Sequence, residues 1–227
     1  MNATGEIVIA RHDRPAILPL VLIPSVITLA VTLLRLIGEI NNWSPGLFGR
    51  EAGGGGSLIG IAWLAPIFGI YFAVRLARMG YMPRGLGRVF GLVVLALVVD
   101  IAITAVPVIM KSPFVMVLAV SGIASVIGIV IAYRAWPMLA QTLLAYGFLA
   151  RIPVVIISLI AMWQHWGTHY EKAAPEFPQM GLLPTFLWTS VLPQLTLWIA
   201  YTVIFGLLFG AFAFVVVRRR SAAPAAV

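Results

Sequence analysis

The sequence predicts an all-α fold: a polytopic transmembrane bundle of six helices with both termini in the cytoplasm. Three observations carry this reading. Of 227 residues, 10% are charged and 62% hydrophobic, and mean hydropathy is +1.05, whereas a soluble domain needs roughly a quarter of its residues charged to cover its surface. Apolar runs able to cross a hydrocarbon core of ~30 Å, which takes about 20 helical residues, recur along the whole chain. Basic residues gather beside alternate ends of these runs, the pattern that sets orientation in a bilayer. Residues 1–227 therefore read as one integral membrane domain.

The first span is expected over residues 15–37, with Pro15 in the first turn, where a missing N–H is harmless. A polar connection follows, whose glycines Gly53 to Gly56 favour flexibility over packing. Spans two, three and four are expected over 58–77, 89–110 and 114–133, joined by "RMGYMPRGLGR" and "KSP". The fifth covers 137–163. The sixth covers 185–217, too long for a straight crossing, and Pro193 is expected to divide or tilt it.

Arg11, Arg14, Arg75, Arg78, Arg84, Arg88, Arg134 and Arg218 to Arg220 all fall on one side of this arrangement, which the positive-inside rule makes cytoplasmic. The opposite loops carry Arg35, Arg50, Lys111 and Lys172 beside Glu39, Glu51, Glu171 and Glu176. Trp43, Trp163, Trp166 and Tyr170 fall near the outer boundary and Tyr133 and Trp136 near the inner one, where amphipathic rings prefer to lie. The first fifteen residues lack the basic start, apolar core and cleavage site of a signal peptide, so the first helix is expected to stay attached. A multi-pass cell-membrane location follows. With 13 of 15 basic residues arginine, a GC-rich bacterial source and its inner membrane are expected.

The basic balance of 15 Lys and Arg against 7 Asp and Glu does not imply nucleic acid, because the positions flank apolar spans and meet lipid headgroups. The absence of cysteine excludes disulfides, thiolate metal sites and cysteine nucleophiles. The lipid bilayer is the expected partner, and no cofactor is implied. Small residues at four-residue spacing, Gly206 and Gly210 among them, suit close helix packing inside the bundle or a homo-oligomer or membrane-protein partner.

Two charged residues fall near the middle of spans. Arg151 lies fourteen residues beyond Pro137, ~21 Å at 1.5 Å per residue, and Asp100 twelve beyond Arg88, ~18 Å. An unpaired charge at mid-membrane costs at least ~2.5 kcal/mol on insertion scales. The economical expectation is a buried Asp100–Arg151 pair joining spans three and five, surrounded by Gln141, Tyr146 and Gln194. Pro153 strips the Leu149 carbonyl of its helical donor, and Arg151 is a candidate to replace it.

The leading functional expectation is a small permease-like or substrate-binding membrane subunit built on that polar site. Its rival is a non-transporting scaffold or accessory subunit in which Asp100 and Arg151 clamp two helices. A membrane-embedded enzyme comes third, since no catalytic set has suitable spacing. His165 and His169, four apart with Glu171 nearby, form a weak metal candidate that an irregular loop around Gly167 argues against. The glycine run lacks the lysine and hydroxyl pattern of a phosphate loop.

Overall fold

A computed structural model describes residues 16–54 and 57–222, with side chains as far as Arg218. Its helices are α1 (Ile17–Ile40), α2 (Leu64–Arg78), α3 (Leu86–Ile109), α4 (Phe114–Tyr133), α5 (Pro137–Gln164), α6 (Leu182–Phe186), α7 (Leu192–Leu195) and α8 (Leu197–Ala222). A π-helical turn, Leu187–Val191, joins α6 to α7, and a short 3-10 turn, Ala52–Gly54, lies between α1 and α2. No strand occurs among the described residues. Five helical runs among them are long and apolar enough to cross a membrane: α1, α3, α4, α5 and the run Leu182–Arg218.

The second expected span is helical over a shorter stretch than its hydropathy suggests. With 15 residues, α2 rises ~22 Å. The apolar residues before it are drawn into the preceding loop, where the N–H groups of Leu58 and Ile59 donate to the carbonyls of Gly46 and Leu47 at 3.2 and 3.1 Å. Pro66 falls in the first turn of α2, among N–H positions that lack an intrahelical acceptor anyway.

Helix α8 is the hub, packing against α2, α3, α4 and α5, while α1 lies against α5. Its glycines make this possible. A Cβ on Gly69 of α2 would stand 2.4 Å from the Gly206 carbonyl oxygen, one on Gly206 2.4 Å from Leu143 Cδ2, and one on Gly210 2.9 Å from the Ala73 Cβ. The Gly206 and Gly210 face is thus occupied by α2 and α5 of the same chain. In lipid such contacts act through dispersion rather than the hydrophobic effect, so backbone proximity is what holds α2 to α8. Phe72, Leu76, Leu139, Leu143 and Leu207 fill the spaces around them and are fully buried. Outward residues, such as Leu22, Ile23 and Val26 on α1 and Val94, Val98 and Ile101 on α3, are large, apolar and more than half exposed, a surface suited to hydrocarbon.

The helix ends separate by charge. Trp136 Nε1 donates to the Tyr81 carbonyl at 3.0 Å and its ring packs on Phe214, which brings the α2–α3 turn, the α4–α5 turn and the end of α8 together. Arg78, Arg84, Arg134 and Arg218 belong to this end. Arg11 and Arg14, and the side chains of Arg219 and Arg220, lie outside the described residues. The other end is of mixed charge and is covered by residues 41–54, 57–63 and 165–181. Trp136 and Tyr170, expected in interfacial belts, are instead 1% and 6% exposed and belong to the interior.

Pro193 sits in the first turn of α7, directly after the π turn, and the chain breaks again at Thr196 (φ −121°, ψ −73°). The expected division of the sixth segment is therefore a π turn followed by a break. In contrast, α5 continues as one helix through Pro153.

Candidate functional site

Two polar centres occupy the mixed-charge half, and they share a cavity. The first is a latch at the end of α1. Arg35 and Glu39 are one turn apart on its buried face, with Arg35 Nε donating to Glu39 Oε1 at 2.8 Å. Glu39 is fully buried, and its carboxylate also accepts from His169 Nδ1 on Oε1 at 2.6 Å and from the His169 backbone N–H on Oε2 at 2.9 Å. Arg35 Nη2 donates to the carbonyls of Gly49 and Gly54, at 3.2 and 3.0 Å, and to Ser57 Oγ at 3.2 Å. One ion pair therefore fastens both covering loops to a membrane helix. Arg50 adds a bond from Nη2 to the Glu39 carbonyl.

This geometry corrects the reading of the glycine run as flexible rather than packed. Gly53 and Gly54 adopt φ of +75° and +70°, and a Cβ on Gly54 would stand 2.8 Å from His169 Cδ2. At Gly54 the absent side chain is required twice, by backbone conformation and by the imidazole against it. Gly55 and Gly56 lie outside the described residues.

His169 is outside the spans, and burial holds its imidazole below its ordinary value, with Arg35 and Lys172 acting in the same direction and Glu39 opposing. Its neutral form donates from Nδ1 to the acceptor-only carboxylate. Burial likewise pushes the neighbouring Tyr170 phenol upward, and its hydroxyl donates to the Thr32 carbonyl at 3.3 Å. The helical premise of a His165 and His169 metal site fails here. α5 ends at Gln164, His165 is left-handed (φ 54°), and Glu171 Oε1 accepts from the Gly167 N–H at 2.5 Å. Among the described residues no group of three or more His, Asp or Glu side chains is placed to hold a metal ion.

The second centre is Arg151. The cavity, about 320 Å³, runs inward from the covering loops between α1, α4, α5 and the π turn. Arg151 lies on its wall thirteen residues, ~20 Å, before the end of α5. Its Nη1 donates to Gln194 Oε1 at 3.2 Å, and its guanidinium carbon stands 4.5 Å from the centroid of the Trp198 ring. The side chain is buried, at 5% exposure, and Nε has no hydrogen-bond partner. The π turn is what lets Thr189, Ser190 and Gln194 face this cavity, since a widened turn shifts the side-chain register by a residue.

Of the residues expected to form one polar site, the structure brings together Arg151 and Gln194. Asp100 does not pair with Arg151. It accepts from Ser125 Oγ of α4 at 3.2 Å, and among the described residues Arg35–Glu39 is the ion pair, with neutral His169 hydrogen-bonded to the same carboxylate. The depths match, but α3 packs mainly on α4 and α8 while α5 packs mainly on α1 and α8, so equal depth does not become contact. Tyr146 is enclosed by Phe68 and Phe72 and shares a 2.8 Å hydrogen bond with Thr28. Gln141 donates to the Tyr133 hydroxyl and lines a more open groove at the arginine-rich end, with Arg84 and Trp136. Arg151 gives its bond to Gln194 and not to the Leu149 carbonyl.

Sequence reasoning missed the latch. Arg35 and Glu39 read as boundary charges, although their i, i+4 spacing continues the stripe of Thr28 and Thr32 on one face of α1. Chemically, the cavity offers a cation with donors to spare, hydroxyls from Ser158 and Ser190, and aromatic walls from Trp63, Phe114 and Trp198. No family model, curated protein or solved structure matches the chain.

Proposed function

We propose that this integral membrane protein is a ligand-binding membrane subunit, permease-like in carrying a mid-membrane cavity but closed toward one side. The observation that carries this reading is the cavity itself. Its volume of about 320 Å³ falls at the lower end of the range of small-molecule sites, and it mixes apolar walls with a few convergent polar groups. Below it the bundle is filled by Phe68, Phe72, Tyr146, Leu143 and Leu207, all buried. A route across the membrane would have to part that layer, so binding from one side is the simpler use. A scaffold held by an Asp100–Arg151 clamp lacks its clamp, since the two residues take other partners.

The orientation that fits is six crossings with both termini in the cytoplasm of a bacterial inner membrane, α2 being the short crossing. Arginines at the ends of α2, α4 and α8 then face inward, and the cavity opens outward under residues 41–54, 57–63 and 165–181. The chain has no cysteine, so single cysteines report on access without a background. In intact cells a membrane-impermeant maleimide should label Lys172→Cys and Ser190→Cys, but should label Arg84→Cys only after lysis. Labelling of Arg84→Cys in intact cells would sink the orientation. Failure of Ser190→Cys to react in any preparation would sink the cavity.

A further inference from the structure

We infer that the ligand is an organic oxyanion, a carboxylate or phosphate on a flat apolar body, with the anionic group held by Arg151 and the body lying between Trp198 and the aromatic wall. This rests on the reading of the cavity as a ligand site.

The inference begins with donor counting. A guanidinium carries five N–H donors and no acceptor. One bond, to Gln194, is made at 3.2 Å, the long end of the hydrogen-bonding range, and the buried Nε has no partner. A cation in this position is costly unless neutralised or hydrogen-bonded. Trp198 offsets part of the cost through its ring face at 4.5 Å. No Asp or Glu is among the described residues lining the cavity. The nearest latch acid, Glu39, is already committed to Arg35 and His169. With Arg35 and Glu39 cancelling each other, Arg151 and Lys172 leave the cavity wall net positive. The missing counter-charge is thus one the ligand can bring.

The geometry also selects its form. Trp198 holds the guanidinium carbon over its ring while Nε stays without a partner, and a guanidinium edge matches the two oxygens of a carboxylate or phosphate. Ser158 and Ser190 add hydroxyls on the same wall. The remaining surface, from Ile61, Trp63, Phe114, Leu118 and Val154, is apolar. It suits the body of an amphiphilic anion better than bare inorganic phosphate, which would keep its water.

The test uses the full chain in phosphatidylcholine nanodiscs and follows tryptophan fluorescence during titration with benzoate, phenyl phosphate, inorganic phosphate and benzylamine. Benzoate or phenyl phosphate should bind saturably, inorganic phosphate at least tenfold more weakly, and benzylamine not at all. Arg151→Gln should weaken the favoured anion at least tenfold, and Arg151→Lys by less, because it keeps the charge and loses the fork. Replacing a third of the lipid by phosphatidylglycerol distinguishes the sources. Competition with the soluble probe would identify a lipid headgroup as the source of the oxyanion, and no competition would identify a free solute. Benzylamine binding as well as benzoate, an unchanged Arg151→Gln affinity, or no saturable binding by either organic anion would each overturn the inference. Maleimide labelling of Ser190→Cys, carried out beside it, shows separately whether the cavity is open, so the ligand class can fail while the site stands.

Discussion

Replacing Glu39 by Gln should release the loops that cover the cavity while leaving the helices assembled. Three donors, Arg35 Nε–H, His169 Nδ1–H and the His169 backbone N–H, converge on the two carboxylate oxygens at 2.8, 2.6 and 2.9 Å. A carboxamide has one oxygen. Whichever way it is turned, at least one buried donor meets an NH2 group, and Arg35 loses its counter-charge. Breaking a buried pair from one side costs ~3–5 kcal/mol. At about 1.4 kcal/mol per tenfold, that is a rise in loop opening on the order of a hundredfold or more. The rest of the bundle rests on α2, α5 and α8, none of which hydrogen-bonds Glu39, so the cost should be confined to the cap.

Hydrogen exchange on the nanodisc protein reads this directly. Amides within 165–172 and 49–54 should lose protection in Glu39→Gln by that factor, while those of α8 stay as they were. Arg35→Gln alone should act similarly, through loss of the bonds to Gly49, Gly54 and Ser57. The double variant should be well short of the sum of the two, because the unpaired charge disappears. Unchanged exchange in 165–172 for Glu39→Gln, or strictly additive losses in the double variant, would refute the latch.

Three further outcomes are expected. His169 is held below its ordinary value by burial, so its unfolded form takes up a proton first as pH falls; cap stability is full above about pH 6.5 and is lost progressively below it. Exchange in 165–172, corrected for its intrinsic rate, should therefore accelerate between pH 7.5 and 5.5, and His169→Asn should flatten that dependence. Gly69→Ala should lower the thermal midpoint in detergent by more than Gly46→Ala, since its Cβ meets the Gly206 backbone at 2.4 Å whereas Gly46 has open space; an overpacked core contact costs ~1–3 kcal/mol, and equal midpoints would count against the α2–α8 contact. Asp100→Asn and Arg151→Gln should have effects on the thermal midpoint that add, to within ~0.5 kcal/mol, because the two residues share no partner; a rescue by the double variant would restore the direct pair.

What one sequence shows of this protein is its relation to the bilayer. Hydropathy, proline positions and arginine placement locate α1, α3, α4 and α5 within a few residues, because each depends on the chain against its solvent and not on a neighbour. The start of α2 was not legible for the opposite reason. Leu58 to Trp63 are apolar, as in a span, yet in the structure Ile61, Ala62 and Trp63 line the cavity and Leu58 and Ile59 bond to the first loop. Hydropathy cannot distinguish an apolar residue that faces lipid from one that faces a cavity beneath a loop. Nor can it distinguish the glycine that frees a chain from Gly54, which admits an imidazole and an arginine to one spot.

The same limit explains the two mid-membrane charges. Depth is a one-dimensional quantity and can be counted along a helix, but contact also needs lateral position, which depends on the order of helices around α8. Asp100 sits on the α3–α4 seam, where Gly128 brings the two backbones close, and a single serine there is within reach. Arg151 sits on α5, where Gln194 from the segment after the π turn accepts its bond and the Trp198 ring lies 4.5 Å from its guanidinium carbon. A clamp would have used both charges up against each other. Separated, the arginine keeps donors unspent on the wall of a cavity whose acids are committed elsewhere. That is why the cavity, and not the pair, is the place to look for what this protein binds.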